Sequence, residues 1–519
     1  MRHPLVSRSL ALAVALALGL PPAPLPAQTA AADSRNALPA LGDAVSDEVS
    51  VGAERRLGDR IMRVLRRDAD YLDDPLLLDY LQQLWGGLLE AARKRGDLPS
   101  ELADRFAWEL FLVRDRSVNA FALPGGYVGV HLGLVAVTST PDELASVLAH
   151  ELSHVTQRHI ARSVDAGKAT SAAGIVGLIL GMLVASRSPE AAQALITGGQ
   201  AVAVQGQLNF SREMEREADR VGFGILTGAG WAPGGMAAMF EKLQQAARLN
   251  DSQNFPYLRT HPLTTERIGE ARSRLGVDGA PPPPRRLVYA LMQARARVLM
   301  DPRDASLQRA QDFDRGAAAA AADPAERLGA LYTSALASVL RREPQRADAA
   351  IAAARPLVAG DAQARAVLDL LEVQALVARG DAAGSAARLA ALPATADGRP
   401  LLIARAQVAL LPQAPAAAAR EAAERLQTRV ALQPDDALAW SLQSQLWQRV
   451  GEPLRAVRAE AEWRAALGDV NGAIDRLRAG QQLARGTSRA EGVEATVIDA
   501  RLRELERLRR ELIAEERGG

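Results

Sequence analysis

The chain of 519 residues is 48% hydrophobic and 24% charged, a composition typical of a multi-domain globular protein with an ample core. Its net charge of +1 gives no electrostatic reason to expect nucleic acid or a strongly acidic partner. The sequence contains no cysteine, which excludes disulfide bonds and lipid attachment through a cysteine.

Residues 1–32 have the composition of a secretory signal peptide. Two arginines precede an apolar run from Leu10 to Leu20, and prolines and small residues follow it. The run is too short to span a bilayer as a stable helix, so we expect cleavage after Ala27 or Ala32 and export of the remaining chain. An uncleaved membrane anchor is the alternative.

Helical segments precede a predicted β region. Residues 46–102 carry apolar side chains at spacings of three and four, and Asp74-Pro75 marks the start of a second helix. Phe106–Val113 is rich in aromatic and β-branched residues and predicts a strand. Asn119–Leu123 and Tyr127–His131 flank a Pro-Gly-Gly turn, a pattern that predicts a hairpin.

The segment Val147–His159, VLAHELSHVTQRH, contains a metal-binding pattern. His150, Glu151 and His154 form H-E-x-x-H. On a helix, residues four apart lie on the same face, so both imidazoles reach one metal ion and Glu151 lies beside the open position. The surrounding apolar residues recur at helical spacing, which predicts a helix whose other side is core. The alternative is a chance pattern with two packing histidines, although the chain has only six histidines.

A charged helix downstream contains the candidate for a third ligand. Residues 211–222, SREMEREADRVG, bring Glu215, Glu217 and Asp219 together with three arginines. Charges of both signs on one helix usually form a solvated face with pairs at i,i+4, which is the alternative to a metal site. Glu217 lies on a different face from Glu215, so we expect it to matter much less for metal binding.

The motifs HELSH, VTQRH, EREAD and NAFALPGG together resemble the HtpX-type zinc metalloproteases. These are gluzincins, and the likeness is to a periplasmic branch with C-terminal tetratricopeptide (TPR) repeats. The resemblance implies one Zn²⁺ per chain, held by His150, His154 and Glu215, with Asp219 orienting a ligand histidine. It also implies a mainly α fold with a small β-sheet. In that fold a zincin-like metalloprotease domain precedes an all-α degenerate TPR solenoid.

Glu151 is the predicted general base. Bound zinc lowers the pKa of water toward about 7, and Glu151 would take the proton and later deliver it to the leaving amine. His261 precedes Pro262 and is therefore predicted to lie in a turn. The resemblance implies that this histidine approaches the zinc as a removable extra ligand; a transition-state donor and an ordinary turn residue are the alternatives. Arg267 either braces the acids of EREAD or faces the transition state.

The resemblance also implies a role for the predicted hairpin. In gluzincins it presents an edge strand beside the zinc helix, and a substrate peptide adds to it through main-chain hydrogen bonds with loose sequence specificity. An ordinary buried hairpin is the alternative. We interpret His131, on this hairpin, and His159 as packing or hydrogen-bonding histidines.

Ala172–Ala185 is continuously apolar, but its fourteen residues are too few for a comfortable membrane span. We predict buried core helices beside the site here. A lid or membrane-touching segment is the alternative.

A proline-rich segment divides the chain. Residues 277–286, VDGAPPPPRR, predict a stiff spacer between a metalloprotease domain at 33–276 and a helical repeat domain at 287–519. Glycine turns interrupt the second half, and Leu432–Trp440 is typical of a TPR boundary. The alternative is a non-repeating helical bundle. Two separate cores would let residues 48–279 fold alone.

We therefore predict a periplasmic zinc metalloendopeptidase of a Gram-negative bacterium, carrying a TPR docking domain. By resemblance, it would degrade misfolded or stalled outer-membrane proteins and assist their assembly. Its partners would be unfolded or misassembled proteins and the outer-membrane β-barrel assembly machinery; peripheral membrane association stays open, and nucleic acid is not expected. The alternative is a TPR chaperone or assembly adaptor whose zinc site is structural or vestigial.

Overall fold

The computed structural model describes residues 50–163, 211–248, 255–275, 286–392, 398–485 and 492–518. Three features predicted from the sequence lie outside the described residues: the signal peptide at 1–32, the apolar stretch Ala172–Ala185, and residues 277–285 of the spacer.

The first helices begin at side chains that cap their free backbone N–H groups. Ser50 Oγ accepts a hydrogen bond from Ala53 N at 3.3 Å, and Asp74 Oδ1 accepts one from Leu77 N at 3.0 Å. Pro75 occupies the first turn, where its missing N–H costs nothing, so the predicted start at Asp74-Pro75 is confirmed. The helices before the sheet region are α1 (Val51–Leu65), α2 (Pro75–Arg95) and α3 (Ser100–Arg105).

A four-stranded sheet precedes the metal-binding motif in the chain. Its strands are β1 (Tyr71–Leu72), β2 (Glu109–Val113), β3 (Ala120–Leu123) and β4 (Tyr127–His131). They lie in the order β1-β2-β4-β3, with β2 parallel to β4 and β3 antiparallel to β4. The predicted hairpin is therefore present, and β3 is an edge strand. Gly125 and Gly126 in its turn have φ of 77° and 87°, which residues with a side chain rarely adopt.

The H-E-x-x-H motif lies on a helix that is buried along its whole length. The helices around it are α4 (Leu132–Val137), α5 (Pro141–Thr156), α6 (His159–Ser163), α7 (Arg212–Gly228), α8 (Gly234–Arg248), α9 (Tyr257–Thr260) and α10 (Thr265–Ser273). The motif is on α5, which Thr140 caps and Pro141 begins. All sixteen residues of α5 are buried, because β3, α2, α7 and α8 pack around it.

The C-terminal half is helical, so the predicted mainly α fold with a small sheet is confirmed. Its α-helices are α11 (Leu287–Leu299), α12 (Asp304–Gln311), α13 (Pro324–Leu340), α14 (Pro344–Ala354), α15 (Ala362–Ala378), α16 (Ala382–Ala390), α17 (Arg399–Ala409), α18 (Ala416–Leu432), α19 (Ala437–Arg449), α20 (Pro453–Ala466), α21 (Val470–Ala484) and α22 (Gly492–Gly518). Short 3₁₀ helices at Asp312–Arg315, Ala317–Ala320 and Arg355–Val358 interrupt the series. The predicted glycine turns after α15, α19 and α20 adopt left-handed φ angles of 76–78°.

The hydrophobic core continues from the first half of the chain into the second. One cluster of buried residues extends from Val51 to Ala375. Within it, α11 packs against both α4 and α13. The hydroxyl of Tyr289 hydrogen-bonds Thr138 Oγ1, and Gln293 Nε2 donates to the carbonyl of Thr138 at 2.6 Å. The division of the chain into two domains stays a prediction, and any such domains share this core.

One face of the last helix is buried. Ile498, Leu502 and Leu505 of α22 pack with residues of α21. In the described part of the chain, no helix is both long enough and apolar enough to cross a membrane.

Candidate metal centre

Four buried side chains from three parts of the chain converge on one point. They are His150 and His154 on α5, Glu215 on α7, and His261 at the end of α9. One potential ligand atom from each lies within 4.8 Å of all the others. The three residues predicted to bind the metal therefore come together, and the loop histidine joins them.

The separations between these atoms are short and nearly uniform. His150 Nε2 lies 3.0 Å from His154 Nε2 and 3.4 Å from His261 Nδ1. Glu215 places Oε1 3.4 Å from His154 Nε2 and 3.0 Å from His261 Nδ1, and its Oε2 lies 3.4 Å from His150 Nε2. Ring nitrogens and a carboxylate that direct lone pairs at a common point are what a divalent cation requires, so the residues fit a metal ion.

Asp219 and Arg267 support this cluster from behind. Asp219 Oδ1 lies 3.0 Å from His150 Nδ1, the ring nitrogen that faces away from the cluster. Arg267 donates to both oxygens of Asp219, from Nε at 2.6 Å and Nη2 at 2.8 Å, and its Nη1 lies 2.7 Å from Glu215 Oε2. Of the two roles that the sequence left open for Arg267, the structure places it as the brace of the EREAD acids.

Glu151 lies beside the cluster without belonging to it. The residue is fully buried, and neither carboxylate oxygen makes a well-formed hydrogen bond within the described residues, although the Ala122 backbone on β3 lies close by. His261 Nε2 is 3.6 Å from Glu151 Oε1. A buried carboxylate with free acceptor positions is suited to take a proton from a group entering between β3 and the cluster.

His261 is held in its turn by an aromatic neighbour. Its backbone N–H donates to the carbonyl of Tyr257 at 2.8 Å, and the two rings stack with centroids 4.5 Å apart. Tyr257 N in turn donates to the carbonyl of Val118, just before β3, at 3.4 Å. The segment that carries His261 is therefore attached beside the edge strand.

The other two buried histidines have different surroundings. His131 hydrogen-bonds Ser117 through Nδ1 at 2.9 Å and stays outside the metal cluster, as predicted. His159 places its Nδ1 2.8 Å from His154 Nδ1, and its Nε2 lies 3.1 Å from Glu217 Oε2. His159 is thus a hydrogen-bonding histidine, and one of its two partners, His154, is a candidate metal ligand.

The protonation states of Glu215 and His154 suit metal binding, whereas His150 must release a proton to bind a metal ion. Burial disfavours a charged His150, but hydrogen bonds with Asp219 and Glu215 outweigh it and raise the pKa of His150 to about 9. Burial lowers the pKa of His154 well below its usual value, and it raises the pKa of Glu151. For Glu215, nearby histidines overcome the effect of burial and lower the pKa well below its usual value. Glu215 is therefore ionised and His154 neutral, the forms in which these residues bind metals.

Comparison with known proteins identifies the family of this region. Residues 86–275 match the model of peptidase family M48. This match spans both the H-E-x-x-H helix and the EREAD helix, so the family-level resemblance seen in the motifs is confirmed. The family implies a divalent metal ion, and the described cluster supplies residues that fit one.

Individual relatives are similar over the same half of the chain. The beta-barrel assembly-enhancing protease of Escherichia coli (strain K12) is 37% identical over 243 residues, which cover 47% of this chain and 48% of that protein. The protein of the same name from Yersinia pestis is 35% identical over 241 residues, 46% of this chain and 48% of that protein. The mitochondrial metalloendopeptidase OMA1 of Saccharomyces cerevisiae is 30% identical over 198 residues, 36% and 53% of the two chains. The matched region spans about half the length of these relatives.

Proposed function

We propose that the protein is a zinc-dependent metalloendopeptidase, since residues 86–275 match the model of peptidase family M48. The observation that carries this proposal is the convergence of His150, His154, Glu215 and His261 beside the buried carboxylate of Glu151.

The proposed metal is Zn²⁺, one per chain, with His150, His154 and Glu215 as its permanent ligands. Three imidazole nitrogens and one carboxylate form a donor set that zinc favours, whereas Mg²⁺ and Ca²⁺ prefer oxygen ligands throughout. Ligand atoms about 2.0–2.1 Å from a tetrahedral zinc ion lie about 3.3 Å apart. The separations of 3.0–3.4 Å support this assignment. When bound, zinc supplies Lewis acidity that polarises a peptide carbonyl and acidifies water.

In this proposal Glu151 is the general base and acid. Its carboxylate would accept a proton from water and return it to the leaving amine. Asp219, held by Arg267, orients His150 and so keeps its Nε2 directed at the metal position. The outer edge of β3 lies next to Glu151 and offers backbone groups to an extended substrate peptide. Main-chain pairing of this kind gives little sequence specificity.

We propose that the substrates are misfolded or stalled outer-membrane proteins, whose assembly the protein also assists. The support is the identity of 35–37% with proteins named beta-barrel assembly-enhancing protease. Residues 287–519, proposed to be a degenerate TPR domain, would dock the β-barrel assembly machinery. The location would be the periplasm of a Gram-negative bacterium, after removal of a signal peptide at residues 1–32, and the segment 277–286 would be the spacer.

One observation favours a second function, a chaperone or assembly adaptor whose zinc is structural. The four protein donors would fill all the positions around a tetrahedral zinc ion, as in structural zinc sites, whereas catalytic sites leave one position open. Departure of His261 would convert the first kind of site into the second. The two functions therefore differ in whether His261 can leave.

The test combines metal analysis with proteolysis. The purified chain should bind one zinc ion and cleave an unfolded outer-membrane β-barrel protein, and Glu151→Gln should keep the zinc and lose the cleavage. Glu213→Gln, which neutralises an exposed acid on α7, is the control and should behave like the wild type. A wild-type chain that binds zinc but cleaves no better than Glu151→Gln would support the adaptor with structural zinc. A chain that binds no zinc would overturn the metalloendopeptidase and leave only an adaptor whose site is vestigial.

A further inference from the structure

His154 contacts a second histidine behind the metal cluster. On the basis of the proposed zinc site, we propose that His159 and Glu217 are positioning residues, which fix the tautomer and ring orientation of His154. The assignment uses two residues that the metal cluster itself does not include. In this assignment His154 is oriented by a second histidine, whereas His150 is oriented by a carboxylate, that of Asp219.

The contacts form a continuous chain away from the metal position. His154 Nδ1 lies 2.8 Å from His159 Nδ1, and the two rings meet edge-on at 76° with centroids 4.9 Å apart. His159 Nε2 lies 3.1 Å from Glu217 Oε2. Arg162 Nη1 donates to the same oxygen at 2.9 Å and so anchors the carboxylate. His154 and His159 are fully buried, whereas Glu217 is partly exposed at the outer end.

The direction of each hydrogen bond follows from the carboxylate. An ionised carboxylate only accepts hydrogen bonds, so His159 donates from Nε2–H to Glu217. A neutral His159 then carries a lone pair on Nδ1, and the contact of 2.8 Å requires His154 to donate from Nδ1–H. His154 is left with its lone pair on Nε2, the atom that lies in the metal cluster. This series of hydrogen bonds therefore selects the tautomer of His154 that binds a metal.

The backbone between the two histidines makes this contact possible. Arg158 adopts a left-handed conformation with φ of 51°, which is uncommon for a residue with a side chain. It separates α5 from α6 and allows His159 to turn back towards His154. Arg158 Nε donates to Glu54 Oε2 on α1 at 3.0 Å, and Glu54 is buried. An unfavourable conformation held by a partly buried ion pair beside the site is consistent with a positioning role.

Paired substitutions at His159 and Glu217 separate hydrogen bonding from packing. Glutamine at either position still offers an oxygen acceptor, whereas leucine offers a comparable apolar volume without one. We expect His159→Leu to weaken zinc binding about 10–100-fold, measured by competition with a chelating dye. Glu217→Leu should weaken it by a smaller factor, and His159→Gln and Glu217→Gln should stay within a few-fold of the wild type. Glu213→Leu, at an exposed position on the same helix, is the matched control and should have no effect.

Equal zinc affinity for the leucine and glutamine variants, or an equal loss in Glu213→Leu, would overturn the proposal. A wild-type chain that binds no zinc would instead contradict the proposed function, so the two failures are distinguishable. ¹⁵N NMR of histidine-labelled wild-type protein provides an answer even where the variants do not fold. His159 should carry its proton on Nε2 and none on Nδ1, with or without zinc. A proton on Nδ1 of His159 would refute the assignment.

Discussion

Arg295, on the first helix after the proline-rich segment, forms a bidentate ion pair with Asp74, the residue that caps α2. Arg295 Nε donates to Asp74 Oδ1 and Nη2 to Oδ2, each at 2.7 Å, and both side chains are buried. Asp74 also accepts the hydrogen bond from Leu77 N that begins α2. The C-terminal half therefore contacts a helix cap in the N-terminal half, 221 positions earlier in the chain.

The first prediction concerns a fragment without the C-terminal half. Residues 48–279 lack α11, so Asp74 loses its partner and the apolar surface that α11 covers on α4 becomes exposed. We expect this fragment to unfold at a lower temperature than a matched fragment of residues 48–300, which retains α11. Thermal unfolding of both fragments, with zinc content measured alongside, is the check. Equal stability would show that the first half has an independent core, as the proline-rich segment predicted.

The second prediction isolates the ion pair. Arg295→Met leaves the carboxylate of Asp74 buried without its cation, and breaking a buried pair in this way costs about 3–5 kcal/mol of unfolding free energy. Denaturant unfolding of the full chain measures the loss. Arg425→Met, which breaks the exposed pair between Arg425 and Glu421 within α18, is the control and should cost less than about 1 kcal/mol. Similar losses in the two variants would contradict the assigned role of Arg295.

The sequence predicted the features of this fold that depend on local pattern. A spacing of four on a helix was enough to place His150 and His154 together, because helix geometry is fixed. The Pro-Gly-Gly turn was enough for the hairpin, since two consecutive glycines tolerate left-handed φ angles. The EREAD pattern, through its family resemblance, indicated Glu215 as the third ligand, and the structure places it with the other two.

Features that depend on a single dihedral angle or on contacts between distant segments were not predictable. Glu217 was expected to matter little because it faces away from Glu215, and nothing in the sequence showed that His159 would turn towards it. That turn depends on the left-handed conformation of Arg158, a residue type that rarely adopts it. The contact between Asp74 and Arg295 could not be predicted from the sequence for a different reason. Four prolines indicate a spacer, and no local pattern shows that the helix after a spacer folds back.

A third prediction tests the ligand assignment of Glu215. Glu215→Ala removes the carboxylate that lies 3.0–3.4 Å from three ring nitrogens, so zinc affinity should fall by more than about 100-fold. Chelator competition on the purified chain measures the dissociation constant. Glu213→Ala, two residues earlier and exposed, should retain the wild-type value. Stoichiometric zinc held as tightly by Glu215→Ala as by the wild type would refute the assignment.

The fourth prediction concerns Arg267, whose cation faces two buried acids. Arg267→Met leaves Asp219 and Glu215 without this cation, and we expect the metal-free protein to lose about 3–5 kcal/mol of stability. Saturating zinc should recover part of the loss, because the metal charge compensates Glu215. Thermal unfolding with and without zinc is the measurement. Arg216→Met, which breaks an exposed pair with Glu266, should change neither value by more than about 1 kcal/mol.

The last prediction concerns His261, which occupies two positions that a reaction would need. Its Nδ1 lies with the metal ligands, 3.4 Å from His150 Nε2, and its Nε2 lies 3.6 Å from Glu151 Oε1. In the proposed site, this one ring would therefore fill both the fourth position on the metal and the approach to Glu151, the proposed general base. If that ring is a removable ligand, His261→Ala should raise basal cleavage of an unfolded protein several-fold, because water can then reach Glu151.

The competing interpretations of His261 predict different signs. A transition-state donor would make cleavage by His261→Ala fall while zinc is retained, and an ordinary turn residue would leave cleavage unchanged. Zinc content must be measured on the same samples, since a fall that accompanies metal loss reports on binding alone. The double variant Glu151→Gln/His261→Ala provides the control, because any cleavage that it retains comes from a contaminating protease. A fall in cleavage with full zinc occupancy would exclude the removable-ligand role, since the geometry would then require His261 to act on the substrate and not to block it.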